Sequence, residues 1–324
     1  MNLLGHDLYA PVSFLAQEVG DMVPKIMKQG RLAPWLYLLP AFIMMSVFII
    51  YPTIGTLRLS FMDNTGTNSA ASTCVAGQAC WGVFENYRYA LTNIDMLHAL
   101  RNNALWLLLM VPGTIAGGLF FALLADRVPY EKLAKSIIFM PVAISFIGAG
   151  IIWRFVYDFQ SGGGAQIGIL NGIITALGGK PVTWLSDPAI SNFSLMVVGV
   201  WLWAGFCMTM LSAAIKGVST EILEAARVDG ANEWHVFWQI MFPTILPSVV
   251  VVTTTLSIII LKIFDVVYVM TGGNYGTEVI ANRMFNLIVT NTGRSTALAV
   301  ILILLTIPIM IFNIKRFKSE EAAR

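Results

Sequence analysis

Six stretches of this 324-residue chain run for about twenty residues or more with almost no charge: 34–57, 102–125, 136–157, 193–215, 246–270 and 295–314. The hydrocarbon layer of a bilayer is about 30 Å thick, and a helix crosses it in about 20 residues. The runs are continuously apolar instead of alternating, so they predict helices and not barrel strands, each helix satisfying its own backbone polar groups in lipid. Only 12% of the residues are charged and 57% are hydrophobic, where a soluble domain carries about 25% charge. Six such runs are too many for the buried helices of a soluble core. The expected fold is an all-α integral membrane protein with six transmembrane helices, kinked at Pro40, Pro112, Pro141 and Pro308.

Lys and Arg in short flanking segments resist translocation and so set orientation. With the N-terminus inside, the inner segments hold Lys25, Lys28, Arg31, Arg127, Lys132, Lys135, Lys216, Arg227, Lys315, Arg316, Lys318 and Arg324, which is twelve. The outer segments hold Arg58, Arg88, Arg101, Lys180, Arg283 and Arg294, which is six. That bias predicts both termini, and the polar segment 217–245, in the cytoplasm. The first thirty residues lack the pattern of a cleaved secretory signal, so the first span is expected to anchor the chain. Cys74 and Cys80 fall in the first outer loop, where an oxidising compartment permits a disulfide, though two loop cysteines can equally stay free. Cys207 reads as a small core residue.

Between the fourth and fifth spans the chain keeps a polar island, EILEAARVDGANEWHVFWQIMFPTILP, at 221–247. Ser219 or Thr220 can cap a helix there, with Glu221 and Glu224 placed favourably in its first turns. Gly230 then permits a turn. A second helix is expected at 231–241, with Trp234, Phe237, Trp238 and Met241 on one apolar face and Pro243 as its end. Such a helix can fill a groove on a partner or lie flat on the membrane. Residues 228–245 contain no Lys or Arg, which favours the partner.

The island resembles the EAA loop of permeases from binding-protein-dependent ABC importers: Glu224, Ala225 and Ala226, then Gly230, then Ile240 and Pro243. Phe242 replaces the Leu usual before that Pro. A second EAAR at 321–324 lacks the glycine and the downstream Ile and Pro, and is read as tail. The resemblance covers roughly 95–315. ALRNNALWLLL at 99–109 and KSIIFMPVAISFIGAGIIW at 135–153 look like the family's core helices, and FDVVYVMTGGNYGTEVI at 264–280 is similar to a stretch of sugar permeases of the maltose and glycerol-phosphate type, with Asn274 where Pro is frequent. Trp153, Asn171, Gly178, Gly179 and Trp184–Pro188 resemble the first of two paired sugar permeases.

The resemblance implies a type-1 importer permease core over 99–314, with a coupling loop at 217–245 that docks on a cytoplasmic ATPase through Glu224, Ala225, Ala226, Gly230, Trp234, Phe237, Trp238, Ile240 and Pro243. Around it would lie a cytoplasmic segment 1–33, a first helix 34–57, an external loop 58–98 and a cytoplasmic tail 315–324. It also implies a second related permease, two copies of the ATPase, an external solute-binding protein and a carbohydrate cargo, such as an α-glucoside or other oligosaccharide or polyol, crossing the inner membrane of a bacterium or archaeon. Nucleic acid has no place among these partners. Glu224 can alternatively only cap or brace its own helix.

Charge at mid-membrane is expensive, so Arg154, Lys262 and Asp265 require a role. Arg154 with Asp158, and Lys262 with Asp265, are spaced to neutralise each other along a helix. Lys262 and Asp265 are read as part of the solute route, with Trp201, Trp203 and Tyr268 as aromatic platforms for a sugar ring; the same aromatics also suit a core or an interface. An ion-gradient transporter coupled through Lys262 and Asp265 is the rival reading. The chain has no G-x-x-x-x-G-K-[ST] phosphate loop, and His6, His98 and His235 are too scattered for a metal. No catalysis, cofactor or metal is expected, and ATP hydrolysis is assigned to the partner.

Overall fold

A helix apolar on every face has nothing to turn toward water, so its neighbours must be other helices or lipid. The computed structural model describes residues 33–63, 80–81, 84–162 and 164–322. The chain divides into two units, Met1–Gly55 and Thr56–Arg324. The apolar helix α1, Trp35–Ser60, supplies the described part of the first unit and runs on into the second. The second unit continues with a two-residue antiparallel ladder, β1 (Met62–Asp63) with β2 (Cys80–Trp81), and then α2 (Glu85–Thr92). Cys74 lies outside the described residues and Cys80 is described by its backbone alone, so their pairing also falls outside them.

The spans follow: α3 (Ile94–Ala125), α4 (Glu131–Ala143) joined to α5 (Phe146–Val156), α7 (Ser191–Lys216), α9 (Glu233–Leu261) and α12 (Thr292–Ala322). Between them lie the short helices α6 (Ile169–Ala176), α8 (Thr220–Val228), α10 (Asp265–Met270) and α11 (Ile280–Leu287). Among the described residues five helices are long and apolar enough to cross a membrane, or six if the bent α4–α5 pair counts as one span. That pair is bent by 103°, so the expected single span at 136–157 is a broken one. Pro141 sits in the tightened turn Met140–Ala143, and Ser145 restarts the helix by accepting a hydrogen bond from the Gly148 amide at 3.1 Å.

Three other prolines are absorbed without breaking the helix. The wide π turns Ser46–Ile50, Trp106–Met110 and Val236–Met241 each end two residues before a proline, Pro52, Pro112 and Pro243. Proline has no N–H to give, and its ring crowds the carbonyl four residues back; a wider turn swings that carbonyl clear. Pro243 therefore does not end the island's second helix, as its sequence suggested. The helix continues as α9 to Leu261, and the fifth span runs 233–261 instead of 246–270.

The core is built around α7 and α3, with Trp106, Leu195, Leu202, Cys207, Leu256 and Val266 all buried. The two helices meet at Gly118, where a Cβ would overlap Cys207 and the Met208 backbone; small residues allow this approach in membrane proteins. At the Lys216 end of α7 an ion network ties three elements. Lys135 bridges Asp126 at 2.5 Å and Glu131 at 2.7 Å, Lys216 also pairs with Glu131, and Ser212 Oγ donates to Asp126 at 2.8 Å. The Lys135 and Asp126 side chains are 20% and 15% exposed, between the surface and buried limits for ion pairs. Asp126→Ala should cost about 2 kcal/mol and Asp126→Asn, which keeps an acceptor for Ser212, less. Heat unfolding of the purified chain measures both, and an unchanged midpoint for the alanine variant would remove the network from the account of stability.

Candidate functional site

The polar island folds as a foot between α7 and α9. Helix α8 closes with Gly230 at φ +86°, the left-handed position that suits glycine. The Ala231 amide donates to Ala226 O at 3.0 Å and the Gly230 amide to Arg227 O at 3.1 Å, a reversed turn that satisfies the helix's last carbonyls. Ser219 occupies the position before α8 without a side-chain capping bond. Across the bend Arg227 grips Glu233 with two bonds, 2.7 and 3.3 Å. Asn232 then starts α9 by accepting from the His235 amide at 2.9 Å. Among the described residues Glu224 makes no hydrogen bond or ion pair, and it and Ala225 face solvent while Ala226 is half-buried.

The single apolar face expected over Trp234, Phe237, Trp238 and Met241 is divided in two. Trp234 and Trp238 are 69% and 45% exposed, whereas Phe237 and Met241 are half-buried. The π turn at Val236–Met241 adds a residue to the turn and rotates everything after it. The rings still form one ladder, with Trp234 to Trp238 at 5.6 Å, Trp238 to Phe237 at 5.0 Å and Trp238 to Phe242 at 5.1 Å. Beside them a cavity of about 300 Å³ opens between Leu123 and Arg127 of the α3 end and Glu233, Trp234, Phe237 and Met241. Ile240 is half-buried and Pro243 exposed.

At the far end of α9 the backbone leaves the helix at Lys262 (φ −102°) and Phe264 (φ −140°), and α10 begins at Asp265. Lys262 and Asp265 therefore do not share a helical face, and no ion pair joins them among the described residues. Arg154 and Asp158 do not pair either: Arg154 Nη1 donates to Val269 O at 3.4 Å, and Asp158 accepts from Gln160 Nε2 at 2.8 Å. Helix α9 has already ended before Lys262, and α5 ends between Arg154 and Asp158, which removes the three- and four-residue helical spacings that pairing needs.

Lys262 instead stands at the rim of an apolar cavity of about 350 Å³, with Phe264, Ala281, Met284, Phe285 and Leu302 among its walls. Tyr268 stacks on Phe264 at 5.1 Å and meets Phe285 edge-on at 5.2 Å; it is 46% exposed. Trp201 and Trp203 line no part of this cavity. They pack in the core, against Trp153 at 5.6 Å and against Phe146 and Phe206 at 6.0 and 5.7 Å. Phe264 and Phe285 were not singled out in sequence; Phe264 stood next to named residues, but only the fold brings Phe285 to it.

Beyond the cavity, asparagines hold the turn Thr271–Val279 against α3 and α7. Asn102 Nδ2 donates to Gly276 O and Glu278 O at 2.7 and 2.8 Å, and Ser191 Oγ to Tyr275 O at 2.6 Å. Asn103 accepts from the Ile280 amide at 2.9 Å, and Trp106 Nε1 donates to Asn192 at 2.9 Å. Asn274 uses both its amide and its side chain on Thr271 O, at 3.2 and 2.9 Å, which a proline there could not do.

The profile of the family described as "Binding-protein-dependent transport system inner membrane component" matches residues 104–314. The osmoprotective compounds uptake permease protein GgtC of Synechocystis is 48% identical over 89% of this chain and 100% of its own length. The alpha-glucoside transport system permease protein AglF of Rhizobium meliloti is 40% identical over 90% of this chain and 84% of its own. Among solved structures, a chain of a bacterial ABC transporter involved in the import of the acidic polysaccharide alginate superposes with a TM-score of 0.72 at 21% identity, covering 90% of this chain and 96% of that one, which establishes the shared fold. The five to six spans, the foot and the matched sequence agree: the chain belongs to the binding-protein-dependent transport system inner membrane components, the membrane-spanning permeases of ABC importers.

Proposed function

We propose that this permease carries a small carbohydrate or polyol across the inner membrane, driven by a separate cytoplasmic ATPase. The observation that carries the reading is the foot: Trp234 and Trp238 exposed beside a cavity, and Glu224 exposed with no hydrogen bond or ion pair among the described residues, on a chain with no phosphate loop of its own. In this reading Glu224, Ala225, Ala226, Ile240 and Pro243 frame the docking surface, Gly230 shapes its bend, and the chain itself hydrolyses nothing. Two ATPase copies, a second related permease and an external solute-binding protein complete the assembly. The names of the relatives, concerned with osmoprotective compounds and α-glucosides, support the cargo class.

The Lys and Arg bias supports a topology with both termini and the foot in the cytoplasm. The core then spans 99–314, preceded by a cytoplasmic segment (1–33), a first helix (34–57) and an external loop (58–98), and followed by the tail 315–324. Lys262 and the rings of Tyr268, Phe264 and Phe285 offer what a sugar needs, a donor at the rim and flat apolar faces; Asp265 opens α10, one turn before Tyr268. An ion-gradient mechanism through a Lys262–Asp265 pair finds no support, because the pair is not formed.

Gly230→Val forces a branched side chain into the left-handed region, a strain of about 1–2 kcal/mol at the bend. Solute uptake should fall about tenfold while the chain still inserts and solute-independent ATP hydrolysis by the assembly persists; wild-type uptake would remove the role given to the bend. Tyr268 packs on two of the cavity's rings, Phe264 and Phe285, from outside its lining; Tyr268→Ala should weaken apparent solute affinity about fivefold and Tyr268→Phe hardly at all, as a stacking platform worth about 1 kcal/mol requires. A sugar panel scored by stimulated ATP hydrolysis reads both, and identical curves for all three proteins would take Tyr268 off the route.

A further inference from the structure

Among the described residues one buried side-chain polar atom lacks a partner: Asn282 Oδ1, on α11. The residue is 0% exposed. The nitrogen of the same amide is fully engaged, donating to Gly272 O at 3.2 Å and to Glu278 Oε1 at 2.7 Å. A buried acceptor stripped of water and given no donor is unfavourable.

The neighbour in reach is the Glu278 carboxyl. It is pressed against the turn so closely that a Cβ on Gly273 would lie 2.7 Å from Glu278 Oε1 and 2.5 Å from Asn282 Nδ2. Among the described residues it accepts, besides from Asn282, only from the Val279 amide, at 3.2 Å. Two charged groups face it, Arg283 from α11 and Asp95 from α3. Arg283 favours the carboxylate, but its Nη2 is committed to Asp95 Oδ2 and to Tyr89 Oη, both at 3.1 Å, and Asp95 opposes the charge. Burial outweighs these and holds the Glu278 carboxyl above its ordinary range.

A neutral carboxyl has an O–H to give, and an amide beside it has a free carbonyl to receive it. The acid carbonyl takes the amide N–H, the acid hydroxyl gives to the amide oxygen, and both groups are satisfied. We propose that Glu278 is kept as the neutral acid, closing a reciprocal pair with Asn282 that acts as a proton-dependent latch on the turn between α10 and α11. The proton comes from solvent and returns there. The turn it locks is the one that Asn102 and Ser191 hold to α3 and α7. The adjacent face of α11, through Ala281, Met284 and Phe285, forms a wall of the cavity at Lys262. Loss of the proton leaves the Asn282 oxygen unpaired and loosens that wall. The latch does not depend on the identity of the solute.

The sign follows from linkage. An acid favoured as its neutral form in the folded chain contributes stability that is full below the ordinary glutamate value of 4.5 and is lost as pH rises through the raised value. Heat unfolding of the full chain in detergent, followed across that range into alkaline pH, tests it. Glu278→Gln keeps one donor and one acceptor without titrating, so its midpoint should gain on the wild type steadily as pH rises. A difference independent of pH overturns the latch. Asn282→Asp decides separately: two acids sharing one proton should lose stability with pH more steeply than the wild type, and a parallel profile overturns the proposal as well.

Discussion

Hydrocarbon offers no hydrogen bonds, so every backbone group inside it must be answered by the protein. Much of this structure can be read as that requirement being met where helices are interrupted. Wide turns prepare for Pro52, Pro112 and Pro243. Where the helix does stop, side chains take over: Asn103 Nδ2 reaches Leu261 O at 3.3 Å at the end of α9, Arg154 reaches Val269 O, and Ser145 answers the Gly148 amide in the α4–α5 elbow. Of the charged residues that looked costly in mid-span, Arg154 serves one of these interruptions.

The spans themselves were legible because transfer into lipid is a sum over neighbouring residues and needs no tertiary information. The foot was legible for a similar local reason: a glycine at the bend, an EAA run before it and aromatics after it lie within some twenty residues. What escaped was non-local or subtle in register. Pro243 looked like a terminus, since nothing in the sequence announces a π turn that accommodates it. The stop after Leu261 has no Gly or Pro to mark it, so Lys262 and Asp265 read as one face of one helix. Phe285 joins Phe264 and Tyr268 only because α11 folds back on α10, and the asparagine bonds span more than 150 residues of sequence.

The two ends of α7 show how the parts divide. At Ser191 the helix joins the asparagine network around the Thr271–Val279 turn, with directional, uncharged bonds. At Lys216 it joins the Asp126, Glu131 and Lys135 network, where charge dominates. A helix core of Leu, Val, Gly and Cys connects them and packs against α3 along most of its length. The same molecule thus has a clasp of amides at one membrane face and of ions at the other, and only the ionic one responds to salt.

Helix α9 links these faces in another way. It runs 29 residues without a stop from Glu233 to Leu261, a rod of about 43 Å, with the tryptophans at one tip and the Lys262 kink at the other. If the two ends of so long a helix move together, a displacement at the indoles reaches the aromatic cavity, and the non-helical residues from Lys262 to Phe264 are where it would turn into a change in the angle of α10.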